Sequence, residues 1–300
     1  MQLLTDDDVR DRLTPALAVS VARRCLIEAY QDVLSAPPRL RADLGAVDLV
    51  FTVGGYVDGP VGFRAYGTWP QETDQAVVVW GPDGSLLCCV LGRELGTLRT
   101  GALGGAAVDA LARSDAVRVG VVGSGRQAWA QLWAVSAVRT PLAVRVFSPR
   151  AEHRERFAER AALELGVSAA AVSDAHQAVR GADIVILATV SKRPVISADW
   201  IEPGAHVNTV GPKTRSAHET PPELVDVARV AVSDSPAQAA AYAEPFVTDR
   251  ELKHLGAVLA GAEAGRRSED DITLYCSTGL AGSEVAMALA LTQAQEGVGE

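Results

Sequence analysis

The chain has 300 residues, 48% of them hydrophobic, enough to bury one large core or two medium ones. A formal net charge of −9 disfavours nucleic acid and anionic membrane surfaces as partners, because each calls for a basic face. Apolar runs such as DIVILATV fall far short of the ~20 residues of a bilayer span, and the acidic start MQLLTDDDVRDRL lacks a signal-peptide apolar region, so a cytoplasmic location is expected.

Residues 14–34, TPALAVSVARRCLIEAYQDVL, place apolar side chains at helical spacing behind a Thr-Pro start, which predicts a helix. From Leu49 to Leu91 the period shortens. LVFTVGGYV, VGFRAYGTW, QAVVVWG and SLLCCVLG are β-rich runs broken by Gly, Pro and Asp, and they predict an antiparallel meander with GPDG as one of its turns. Cys88 and Cys89 lie side by side in its last run; with Cys25 and Cys276 they show neither CxxC nor Cys/His metal spacing and read as reduced, structural residues. LGTLRTGALGGAAVDALA then returns to helical spacing.

From residue 117 onward, VRVGVVG, RQAWAQLWAVSAV, AVRVFSP, a helix near 151–165 and DIVILATV alternate buried strands with helices, which implies a parallel sheet. AHVNTVG and RVAVSDS supply later strands, and GSEVAMALALTQAQ a C-terminal helix. The predicted fold class is α/β, a Rossmann-type doubly wound parallel sheet at 113–278 plus a discontinuous α+β domain made of 1–112 with 279–300.

The strand VRVGVVG runs into Gly123-Ser124-Gly125-Arg126-Gln127-Ala128 and then into a helix, the context in which a glycine-rich turn cradles a dinucleotide. Gly123 allows the tight turn, Gly125 lets the backbone approach a pyrophosphate, and the helix start at Arg126 and Gln127 offers free amides. The next strand ends VFSPRAEHR, with Ser148, Arg150 and Arg154 and no acid before Glu152. A hydroxyl and guanidiniums suit a 2′-phosphate better than a bare ribose, so NADP(H) is the expected cofactor and NAD(H) the possible one.

Three arginines stand out in the first part of the chain: Arg39 in APPRLRADL, Arg64 in GPVGFRAYGTW and Arg99 in GTLRTGAL. Arg64 falls inside an apolar, aromatic strand, where a charge is costly unless an anion meets it. An internal salt bridge would serve, and so would a substrate carboxylate; three such residues on one scaffold favour the carboxylate. Tyr56, Tyr66 and Trp69 of the meander are the expected pocket residues.

The segments PPR, GFRAY, LRTGALGGAAVDALA, VGVVGSGRQAWAQ, ADIVILATV, PGAHVNTVG, VSDSPAQ and LYCSTGLAGSEVAMA together make the chain resemble the ornithine cyclodeaminase/mu-crystallin family. The resemblance implies a homodimer formed through the N-terminal domain and a small imino or amino acid bound between that domain and the nicotinamide. It also implies a cofactor site that draws on Arg99 and Thr100, on Ala188, Thr189 and Val190, and on Val210 and Gly211 as well as the fingerprint.

Two departures bear on chemistry. The family usually has lysine where this chain has Arg64, and its cyclodeaminating members have aspartate where the register from Gly211 puts Lys213. Arginine stays protonated, so Arg64 binds a carboxylate or polarises a carbonyl and does not shuttle protons; Lys213, His206, His218 or water must do so. The catalytic candidates are thus Arg64 and Lys213, and the substrate-binding candidates Arg39, Arg64 and Arg99. The expected activity is NAD(P)H-dependent reduction of a small imino acid, or amino-acid oxidation in reverse. Ammonia elimination with bound NAD and nucleotide binding without catalysis are the alternatives. No metal is expected.

Overall fold

The computed structural model describes residues 1–71, 73–140, 142–247 and 250–293. The chain opens with β1 (Gln2–Leu4), α1 (Asp6–Arg12) and α2 (Pro15–Tyr30), followed by β2 (Leu34–Ser35), β3 (Leu40–Asp43), β4 (Asp48–Tyr56), β5 (Val61–Gly67), β6 (Gln75–Trp80) and β7 (Leu86–Gly92). Strands β4 to β7 are the expected antiparallel meander. The edges were not legible in the sequence: β1 joins β7 in parallel, and both β2 and β3 pair with β4. α2 begins as its sequence predicts, with the Thr14 hydroxyl accepting from the Leu17 amide. It stops at Tyr30 rather than Leu34, because Asp32 turns to φ +58 and Leu34 leaves to pair with Tyr56.

Alternation along the meander sorts its side chains. Val77, Val79, Cys88 and Val90 point into a core shared with α2 and the helices that follow, whereas Phe51, Phe63 and Trp80 meet on the outer face, with ring centroids 5.9 and 5.7 Å apart. α3 (Glu94–Leu111) then packs on α2 and on helices from later in the chain. Its glycines permit close approach to a neighbouring helix: a Cβ at Gly101 would lie 2.1 Å from the Ala130 carbonyl oxygen.

The second half alternates as expected: β8 (Arg118–Val122), α4 (Arg126–Val135), β9 (Ala143–Phe147), α5 (Ala151–Leu165), β10 (Ser168–Ala171), α6 (Ala175–Val179), β11 (Ile184–Leu187) and β12 (His206–Thr209). A short hairpin, β13 (Lys213–Thr214) with β14 (Ala217–His218), precedes α7 (Pro222–Val227), β15 (Val230–Ser233), α8 (Pro236–Ala240), β16 (Lys253–His254), α9 (Leu255–Leu259) and β17 (Thr273–Cys276). Among the described residues the sheet order is β10-β9-β8-β11-β12-β17-β15-β16, with every pairing parallel. The winding reverses between β8 and β11, and the crevice at such a reversal is where ligands of open α/β sheets bind.

α10 (Ser283–Gln293) returns to the first sheet and packs on β4 to β7 and on α2 and α3. The rest of the expected C-terminal helix, from residue 294, lies outside the described residues. Among the described residues, no helix is long and apolar enough to cross a membrane.

Candidate functional site

The turn after β8 is shaped by its glycines. Gly123 has φ +117, and a Cβ there would sit 2.2 Å from the Ala188 carbonyl oxygen, so the β8 and β11 ends are drawn together. Gly125 caps α4, and no atom lies within 4 Å of where its Cβ would be. The Ser124 hydroxyl donates to Ser148 Oγ at 2.9 Å, and Arg154 closes the turn after β9 by donating to the Ser148 carbonyl at 3.0 Å. Arg150 is exposed at the N-cap of α5. Arg126 swings away from the turn and donates to Thr97 Oγ1 at 2.8 Å.

A cleft of about 680 Å³ opens between this turn and the meander. Gly125, Gln127, Thr189, Val190 and Gly211 line one wall; Tyr66 and Trp69 line the other. Tyr56 does not join them: it lies at the far end of β4, opposite Leu34, against the core. Tyr66 pairs with Val50 near the start of β4 while Tyr56 ends that strand, so the two tyrosines lie at opposite ends of the meander and only Tyr66 reaches the cleft.

Past Gln127, Val210 and Gly211 the cleft continues into a second cavity of about 420 Å³, whose walls hold Arg39, Arg64, Arg99, Thr100 and Lys213. The structure thus brings all three singled-out arginines to one place. Arg39 is tied down: its Nε donates to Gln238 Oε1 at 3.1 Å, its Nη1 to Tyr66 Oη at 3.4 Å, and its Nη2 to the Thr278 carbonyl. Arg64 stacks over the Tyr66 ring, 4.5 Å from its centroid.

Beneath Arg64 and Arg99 lies Glu284 of α10, 1% exposed. Its Oε1 is 3.4 Å from Arg64 Nη1 and hydrogen-bonds Arg99 Nη2, so one carboxylate serves two guanidiniums. Burial raises the Glu284 pKa, but Arg99 and Arg64 outweigh it and hold the group below its ordinary value. Burial and the neighbouring Arg99 pull Arg64 down to about 10, which leaves it charged at neutral pH. The Nε atoms of both arginines are buried without a hydrogen-bond partner.

Lys213 is 8% exposed, and its Nζ donates to the Gly211 carbonyl at 2.6 Å. Burial lowers its pKa, with the Glu219 carboxylate pulling the other way. Neither of the two histidines weighed beside it lines the cavity, although His218 is the cross-strand partner of Lys213 in the β13–β14 hairpin. His206 is fully buried at the start of β12, the end of the sheet away from the cleft, with Nδ1 2.8 Å from Thr273 Oγ1 and Nε2 2.7 Å from Asn208 Oδ1. His218 packs its ring on Phe246, with centroids 5.1 Å apart.

Two further carboxylates, unmarked in the sequence reading, organise the loops of the site. Glu219 accepts from the Thr189 amide at 2.7 Å, the Val210 amide at 3.1 Å, the Gly211 amide at 2.6 Å and the Thr209 hydroxyl at 3.0 Å. Asp234, just past β15, accepts from the Thr278 amide at 2.7 Å, the Gly279 amide at 2.9 Å and Tyr275 Oη at 2.8 Å. Glu284 could have been found by the logic that found Arg64, a lone charge in the apolar run GSEVAMALAL.

Fold and cleft define an α/β protein of the Rossmann type with a separate α+β portion. Residues 65–297 match the ornithine cyclodeaminase/mu-crystallin family model, and the chain belongs to this family. A Delta(1)-pyrroline-2-carboxylate reductase of Bacillus cereus is 32% identical over 72% of this chain and 70% of its own length. The Thermococcus litoralis Delta(1)-pyrroline-2-carboxylate reductase, solved with NADH and L-proline, aligns with a TM-score of 0.90 at 26% identity, covering 100% of this chain and 98% of that one. The iminosuccinate reductase of Paracoccus denitrificans, solved with NAD+, aligns with a TM-score of 0.89 at 25% identity, covering 100% and 97%.

Proposed function

We propose that the protein is an NAD(P)H-dependent reductase of a small imino acid, with amino-acid oxidation as its reverse. The observation that carries this reading is the buried Arg64–Arg99 pair, which shares a single carboxylate and lines a cavity continuous with the cleft at the glycine-rich turn. The fit of a dinucleotide rests on the same turn: the open space at Gly125, the α4 start and the Thr189–Val190 and Gly211 walls. Held there, a nicotinamide cofactor would supply the hydride for reduction of the imine carbon, the C=N electron pair going to nitrogen with uptake of one proton. The arginines orient the substrate by its carboxylate and so supply much of the rate through positioning. Arg64 stays charged and is an anchor; the proton comes from water.

The lack of an acid between β9 and Glu152, with Arg150 exposed beside the turn, supports a preference for NADP(H). Arg150→Ala should weaken NADPH binding about tenfold and leave NADH nearly unchanged, a difference that cofactor fluorescence titration reads directly. The outer meander face, with Phe51, Phe63, Val78, Trp80, Cys89 and Leu91, is the surface we assign to a homodimer. Residues 1–112 with 279–300 would then form the substrate and dimer domain, and 113–278 the cofactor domain. The deciding experiment is a screen of 2-oxo acids with ammonium or methylamine, and of cyclic imino acids, against NADPH and NADH oxidation. Ammonia release from ornithine without net cofactor oxidation, or cofactor binding without any turnover, would overturn the reading.

A further inference from the structure

The cavity beside the arginine pair carries more positive charge than one carboxylate requires. Arg39, Arg64, Arg99 and Lys213 line it, and among the described residues no Asp or Glu does. Glu284 stands behind the arginine pair, where it offsets one of the two charges. Glu219 and Asp234 are close enough to pull on Lys213, yet each is already occupied by backbone amides and hydroxyls. The cations that face the cavity fall into two sets: the Arg64 and Arg99 side chains, which share the one Glu284 carboxylate, and the ammonium of Lys213, which has three N–H groups and a hydrogen bond to the Gly211 carbonyl. Holding a cation this deeply buried is costly unless an anion meets it.

We infer that the substrate is an imino acid bearing two carboxylates, the α-carboxylate on Arg64 and Arg99 and the distal one on Lys213. The inference rests on the imine-reductase reading and names the substrate class within it. Arg39, already committed to Gln238, Tyr66 and Thr278, adds its charge without giving up those bonds. The cavity of about 420 Å³ has room for a short-chain diacid. An ammonium at position 213 attracts a second carboxylate, and no acidic side chain lines the cavity to repel it among the described residues. Lys213, weighed above as an acid, is on this account the residue that selects the substrate.

The test compares kcat/KM for oxaloacetate and pyruvate in excess ammonium, with 2-oxoglutarate as a longer diacid. The wild-type protein should favour the best diacid over pyruvate by at least about tenfold, and Lys213→Met should cut that ratio by about tenfold or more, the scale of losing one buried ion pair. Lys213→Arg should restore part of the ratio. A binding readout runs in parallel on the cofactor-loaded protein: succinate should inhibit far better than propionate, and Lys213→Met should erase the gap. Pyruvate used as well as the diacids, or a ratio unmoved by Lys213→Met, overturns the inference while leaving an imine reductase. Failure of every imine to oxidise cofactor overturns the imine-reductase reading as well.

Discussion

Glu219, at the carboxyl ends of β11 and β12, is surrounded by neutral donors from Thr189, Thr209, Val210 and Gly211, whereas Glu284, on α10 behind the meander, divides one oxygen between Arg64 and Arg99. Both side chains are buried, at 0% and 1% exposure, so burial alone does not distinguish them. Their partners do. Amides and hydroxyls carry no net charge, so around Glu219 every bond is spent on fixing the two strand ends that form the cleft floor. Around Glu284 there are two cations for one anion, and the surplus faces a cavity. The parallel sheet supplies a floor whose carboxylate is saturated by neutral donors; the arginine cluster keeps a net positive charge at the cavity wall.

Removing Glu284 should produce the largest effect. Glu284→Ala leaves two buried guanidiniums side by side without a counter-ion, which should cost about 3–5 kcal/mol of stability, measured by urea unfolding. A bound dicarboxylate should recover part of that loss. A loss no greater than that of a surface substitution would mean that the arginines do not depend on Glu284, and the contrast would collapse.

Arg64→Ala acts on the ligand side of the same cluster. It should lower kcat/KM by about a hundredfold or more through lost substrate binding, and Arg64→Lys, which keeps the charge without the planar fork, by less. Normal turnover by the alanine variant would make Arg64 a structural ion-pair member. Glu219→Gln tests the saturated floor. An amide there turns its NH2 group either toward the Thr189 amide or toward the Val210 and Gly211 amides, so stability should fall by about 1–3 kcal/mol and cofactor affinity with it. Weaker substrate binding with unchanged cofactor affinity would place Glu219 on the recognition side instead.

The two kinds of carboxylate differ in how far sequence reveals them. The period of VRVGVVG and the glycines after it made the parallel sheet and its first turn legible, and Arg64 was conspicuous because a charge interrupts an apolar strand. Glu284 carries the same signature on its helix. Glu219, in SAHETPP, carries none: its partners are mostly backbone amides from two strand ends, and no side-chain pattern encodes them. Strand pairing hid the rest, including the edge strand β1 and the choice of Tyr66 over Tyr56.

The smallest effect is expected from His206, which extends the saturated class from acids to a base. With Thr273 Oγ1 and Asn208 Oδ1 satisfying its two nitrogens and no solvent contact, burial drives its pKa down to about 3. The unfolded chain takes up the proton near the ordinary 6.5 and the folded one only near 3, so between these values the unfolded state binds more protons and acid favours it. The contribution is intact above pH 6.5 and fades as pH falls toward 3. By pH 5 the loss should reach about 2 kcal/mol, at roughly 1.4 kcal/mol per pH unit. His206→Gln disturbs the network at every pH and starts from a lower stability, but it has no proton to gain. The gap between the two proteins, followed by urea unfolding, should therefore narrow from pH 8 to pH 5. A constant gap would mean that His206 is reached by protons in the folded state, in which case the network at the base of β12 is not the sealed, neutral counterpart of the arginine cavity.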